Sequence, residues 1–151
     1  MIKKVFGRKL GRGRTAREAL FASLTRAMIL NGKMVTTKAK AKAVQRDVEK
    51  IVTMAKLGTL SARRRALGIL DNANDATDKL FDQVVGSFKT RNSGYTRIVN
   101  LTPRKGDNTS MVRMEWTEVI SEAKKEEKKE KSAKVEKKAT KTVKKTKVAK
   151  K

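Results

Sequence analysis

The stretch GRKLGRGRTAREAL, residues 7–20, sets three glycines and five basic residues directly before a helical rhythm. Two chemistries use that combination. A glycine-rich loop can cradle a nucleotide phosphate, and a cationic arm can lay guanidinium forks along nucleic-acid phosphates. The first fails on spacing. A phosphate loop needs G-x-x-x-x-G-K-[ST] after a strand, yet five positions past Gly7 stands Arg12, and no glycine precedes a Lys-Ser/Thr pair. A dinucleotide loop needs G-x-G-x-x-G, and after Gly11 and Gly13 the third position holds Ala16. The arm fits. Lys3, Lys4, Arg8, Lys9, Arg12, Arg14 and Arg17 fall within the first 17 positions with no acid among them. Such an arm is expected to stay loose until it meets its polyanion.

Further basic residues sit on expected elements. Lys38, Lys40, Lys42, Arg46 and Lys50 lie off the apolar stripe of a second helix, diluted only by Asp47 and Glu49. A merely solvated face mixes the two signs more evenly, so this one is expected to face RNA or DNA. Arg63, Arg64 and Arg65 spread over about 200° of a third helix, so not all face one ligand; Asp71 or Asp75 could pair with one. In RNSGYTRI, Arg91 and Arg97 could clamp a backbone while Tyr95 stacks on an unpaired base. Tyr95 fits a half-buried strand aromatic equally well. Arg104 and Lys105 occupy a loop that could also reach RNA. Aromatics are 4% of residues, too few for a stacking platform, so recognition should rest on phosphate, sugar and shape.

Catalytic groups are sparse. The chain has no histidine, which removes the commonest general base, and no cysteine. Asp71, Asp75, Asp78 and Asp82 have the spacing of helix capping and a polar face, without the oxygen-rich loop that calcium requires. Asp107 belongs to a turn, where its carboxylate can bond nearby amides. We expect no enzyme, no cofactor, no metal and no small-molecule substrate.

Charge then names the partner class. Of 151 residues, 39 are Lys or Arg against 15 Asp or Glu, a net charge of +24. Self-repulsion on that scale favours life against a polyanion. A membrane is the weakest candidate, since aliphatic runs such as Ala27–Leu30 fall far short of the roughly 20 residues a span needs. MIKKVFGRKLG has no apolar segment after its basic residues, so no secretory signal is expected.

The composition shifts near residue 120. Residues 121–151 hold 14 lysines and 5 glutamates with no Leu, Ile, Phe or Trp. Such a tail cannot bury enough apolar surface to offset its ordering entropy, so it is expected to be disordered. Residues 1–14 form the arm and residues 15–120 the globular domain.

Within that domain, Thr15 and Glu18 fit a capping box, followed by an apolar stripe of Leu20, Leu24, Ala27 and Met28. Asn31-Gly32 stops the helix, and KMVTT is a short β-like step. Thr36 or Thr37 caps the second helix, whose core face is Val44, Val48, Ile51, Val52 and Ala55; Gly58 ends it. Ser61 opens the third helix. Asn74 or Asp75 caps a fourth, with Leu80, Phe81, Val84, Val85 and Phe88 aligned. YTRIVNL and MVRMEWTEV alternate with period two around the turn-rich TPRKGDNTS, which predicts a hairpin. The expected class is α+β: about four helices on a small mixed or antiparallel sheet with a C-terminal hairpin.

In this order and spacing, GRKLGRGRTAREALF, VTTKAKAKAVQRDVEKIVTMAK, RNSGYTRI and RKGDN before a strand resemble the bacterial large-subunit ribosomal protein seventeen family. The resemblance covers nearly all of residues 1–120, and GYTRI and R-x-G-D are its specific parts. It implies an α+β, non-enzymatic, cytoplasmic protein of the large ribosomal subunit, bound to its RNA near the polypeptide exit and touching neighbouring ribosomal proteins. It also brings Thr36, Thr37, Lys40, Ala41 and Lys42 toward RNA. Three features depart from the family: Ala16 stands where a histidine is usual, Ser93 where a glycine is, and the lysine-rich tail lies beyond the usual end. The rival expectation is a nucleoid or chromatin architectural protein, for which a lysine-rich tail is also natural.

Overall fold

The structure, a computed structural model, describes residues 8–120. Lys3, Lys4 and the tail at 121–151 lie outside the described residues. Helix α1 (Arg14–Asn31) leads into strand β1 (Lys33–Thr37), which passes without a loop into α2 (Lys38–Ala55). Helix α3 (Leu60–Ile69) follows. Then α4 (Asn74–Lys79) continues through a π-helical turn (Leu80–Val84) into a last turn, α5 (Val85–Ser87). Strands β2 (Thr96–Asn100) and β3 (Met111–Trp116) form the expected hairpin. The sheet is antiparallel with order β1-β3-β2, so the early strand docks on the late hairpin. Thus the architecture is α+β, helices against a three-stranded sheet.

Gly32 ends α1 with φ 73°, and its N–H donates to the Met28 carbonyl. Only a residue without Cβ takes that left-handed cap freely. The chain then reverses into β1, where Met34 and Thr36 turn inward. Val112, Met114 and Trp116 are buried in alternation, as the period of two requires. Met114 and Trp116 share one core cluster with Val44, Val48, Ile51 and Val52 of α2. An aromatic cluster closes the core: Phe88 lies 5.2 Å from Tyr95 and 5.6 Å from Trp116, ring centre to ring centre.

Several local expectations are corrected. The cap of α1 is Gly13, not Thr15, and no side chain closes it. Glu18 turns instead to Arg14, one helical turn back, at 3.0 Å. Burial on α1 centres on Thr25, Met28 and Ile29, with Leu20, Leu24 and Ala27 only partly covered. Thr37 does precede α2, but its hydroxyl makes no capping bond. The third helix is capped by Thr59, whose hydroxyl accepts from the Ala62 N–H at 3.2 Å; Ser61 already lies inside it. Ala73, not Asn74 or Asp75, precedes α4. The π turn was not foreseen: the Val85 N–H donates to the Leu80 carbonyl, five residues back, and brings Leu80, Gln83 and Val84 inside together.

Candidate nucleic-acid interface

Two groups of candidate residues lie at opposite ends of the sheet, and the rest lie on the helices and in the arm. At one end, β1 runs into α2 and the β2–β3 loop folds beside it. Thr37 pairs with Met111 across the ladder, and the Lys38 N–H donates to the Ser110 carbonyl at 3.0 Å. This tie sets Lys38, Lys40 and Lys42 at the start of α2 next to the loop holding Arg104 and Lys105. No acid occupies the first turn of α2. The positive end of the helix dipole therefore coincides with lysines that form no ion pair among the described residues. An anion is the natural complement of that arrangement. Thr36 differs from its neighbour, because its side chain is turned into the core.

The loop is shaped by its own charges. Asp107 accepts from the Arg104 guanidinium at 3.1 Å and from the Thr109 N–H at 3.2 Å. The Arg104 bond, first, and those to Thr109 hold the Asp107 carboxyl well below the usual carboxylate range, and Arg104 is raised in turn. The R-x-G-D stretch is thus a loop clamp, with Gly106 at φ 104° making its turn. Lys105 stays exposed at the tip.

The other group is committed to the fold. Arg91 bonds Glu118 at 3.1 Å and the Gly94 carbonyl at 3.3 Å. Arg97 bonds Glu115 at 2.7 Å. Tyr95 is only 1% exposed, and its hydroxyl donates to the Asn92 carbonyl at 2.8 Å. A ring so enclosed offers no open face to a base, and the base-stacking expectation is corrected: Tyr95 is a core aromatic. On α3, Arg63 pairs with Asp78 and lies over the Phe81 ring at 5.5 Å. Asp71 pairs with Arg26, not with the arginine triplet, at 3.5 Å. Arg64 and Arg65 stay exposed.

In the arm, Lys9 and Arg12 close a turn, with the Arg12 N–H on the Lys9 carbonyl at 3.1 Å and Leu10 and Gly11 at positive φ. Residues 9–12 thus carry a defined turn directly before α1. Arg8 and Arg17 make no ion pair among the described residues, whereas Arg14 is held by Glu18. Arg46 lies on α2 beside Asp47, whose carboxyl is pushed up by burial against the opposing pull of Lys50 and Arg46. No group of three His, Cys, Asp or Glu among the described residues could hold a metal ion. No described helix is long and apolar enough to cross a membrane.

Comparison with known proteins places the chain in a family. A family model described as Ribosomal protein L17 matches residues 20–117. That span takes in α2, GYTRI and the clamp loop but only the last two residues of GRKLGRGRTAREALF. The chain is 42% identical over 121 residues to the large ribosomal subunit protein bL17 of Ligilactobacillus salivarius (strain UCC118), covering 72% of this chain and 95% of that protein. It is 41% identical over 118 residues to the protein of the same name from Agrobacterium fabrum (strain C58), covering 78% of this chain and 83% of that protein. The chain belongs to the ribosomal protein L17 family, whose members are structural, non-catalytic ribosomal proteins.

Proposed function

We propose that the chain is a structural constituent of the large subunit of the cytoplasmic ribosome, supporting translation by binding large-subunit ribosomal RNA. The contact surface is the end of the domain where α2 begins, with Thr37, Lys38, Lys40, Lys42 and Lys105. The arm residues Arg8, Lys9, Arg12 and Arg17 extend it, and neighbouring ribosomal proteins complete the surroundings. One observation carries this reading: three lysines without carboxylate partners gather at an uncapped helix start that has no acid in its first turn. Phosphate is the ligand that relieves their mutual repulsion. Arg63, Arg91 and Arg97 tie distant segments of the domain together through their carboxylates, and Arg104 shapes its loop through Asp107.

Filter binding to protein-free large-subunit RNA, with duplex DNA as competitor, tests the proposal. Structured RNA should be preferred over DNA, and Lys38→Gln/Lys40→Gln/Lys42→Gln should weaken RNA binding. Equal competition by DNA would restore the architectural reading and overturn this one.

A further inference from the structure

The strands bury Met34, Val112, Met114 and Trp116 against the helices and turn every intervening residue the other way. The face so formed stays open. Register places Val35 and Val99 on either side of Arg113, one row across three strands. The next row is Thr37 and Met111, with the Leu101 N–H donating to the Met111 carbonyl at 2.9 Å. Val35 is 59% exposed and Leu101 36%. Aliphatic side chains therefore form a lane on both sides of Arg113, and the RNA surface proposed above meets it only at Thr37.

At the far end of the lane the charges are already balanced in part. Glu115 sits between Arg97 and Arg113, at 2.7 and 2.9 Å, and Lys33 stands opposite it in the β1–β3 register. In a chain of net charge +24, this face spends a carboxylate on restraining its own arginines and shows hydrocarbon beside them. Arginine and methionine around an apolar centre are the composition of protein interfaces, whereas an RNA-binding face gathers unneutralised charge. A second copy of the chain is disfavoured by repulsion between two molecules of that charge.

We propose that this open sheet face docks another protein, through an aliphatic segment that carries carboxylates at the edge facing Lys33 and Arg97. The aliphatic residues fill the lane between Val35 and Leu101, and the carboxylates complement the cationic end. The proposal rests on the large-subunit reading above and assigns a protein neighbour there its face and its chemistry.

The test places a photo-crosslinking benzoylphenylalanine at Val35 in the full-length chain, assembled into large subunits in cells, with Lys40 substituted in parallel. The position-35 adduct should survive nuclease, be destroyed by protease, and contain a partner peptide with aliphatic residues and Asp or Glu adjoining. An adduct to RNA, to a second copy of the chain or to a peptide without acid overturns the proposal. So does the absence of a position-35 adduct in subunits that hold the protein. The position-40 adduct should be lost to nuclease; its failure would count against the RNA surface and leave the position-35 result to decide docking. As a second readout, Val35→Glu/Val99→Glu should weaken rebinding to subunits stripped of this protein by about tenfold, with affinity for protein-free RNA kept within about twofold. An equal loss on both overturns the proposal.

Discussion

At the scale of single residues, two carboxylates with opposite surroundings make a matched test of the structure. Glu115 is held below its ordinary pKa of 4.5, first by the Arg97 hydrogen bond and further by Arg113. A carboxyl depressed in the folded state adds stability above its unfolded pKa and loses it as pH falls through the folded value. Glu115→Gln should therefore lower Tm most near neutral pH, and the difference should vanish in strong acid. Asp47 is raised above its ordinary 3.8 because burial outweighs Lys50 and Arg46. Its charged form is the penalised one, so the penalty is present above the folded pKa and gone below the unfolded one. Asp47→Asn should raise Tm at neutral pH, and that gain should fade below about pH 4. Thermal melts of the three proteins from pH 7 to pH 3 check both signs; parallel curves at all pH values would contradict them. Neither environment was legible in the sequence. Glu115 finds Arg97 across a strand pairing 18 residues apart in the chain, a distance over which no local pattern carries information.

Among the elements, legibility followed the range of the forces involved. The face of α2 was read correctly because five apolar positions repeat at helical spacing over a long segment. The Gly32 stop and the alternation of β3 were likewise local. Helix starts were harder, since several hydroxyls and carboxylates compete for each one. T-x-x-E at Thr15 matches a capping box, yet Arg14 stands four residues before Glu18 and takes its carboxylate. At α3 two hydroxyls were available, and the earlier one, Thr59, reaches the Ala62 amide, while Ser61 only meets Thr59 at 3.1 Å. This assignment makes a direct prediction. Thr59→Ala should cost about 1 kcal/mol of stability, the usual value of an N-cap, whereas Ser61→Ala should leave the denaturation midpoint nearly unchanged. The reverse order in urea melts would return the cap to Ser61. Pairing of β1 with β3 was the least accessible feature, because α2, α3, α4, α5 and β2 all lie between Lys33 and Glu115 in the chain.

Across the whole molecule, the two kinds of cation divide the work. Every side-chain ion pair described among residues 8–120 draws its cation from arginine: Arg14, Arg26, Arg63, Arg91, Arg97, Arg104 and Arg113. The planar guanidinium fork matches a carboxylate and can bond a carbonyl as well, as Arg91 does with Gly94. The lysines at the start of α2 take no carboxylate and keep their charge for an external anion. Sequence pooled the two, since 25 basic residues against 10 acidic ones over residues 1–120 show an excess without showing which cations are spent. The division predicts a separation of effects. Each phosphate contact steepens the salt dependence of RNA binding by roughly 0.7–0.9 in the log–log slope. Lys38→Gln/Lys40→Gln/Lys42→Gln should therefore flatten that slope by about 2–3 and leave Tm nearly where it was. Arg91→Gln should do the opposite: it frees Glu118 and the Gly94 carbonyl, costs about 1 kcal/mol, and leaves the slope of the folded protein unchanged. Binding isotherms between 50 and 200 mM salt, paired with thermal melts of the same preparations, read both quantities. If the arginine variant flattened the slope as much as the lysine variant, ion-paired arginines would be RNA contacts too, and the division would fail.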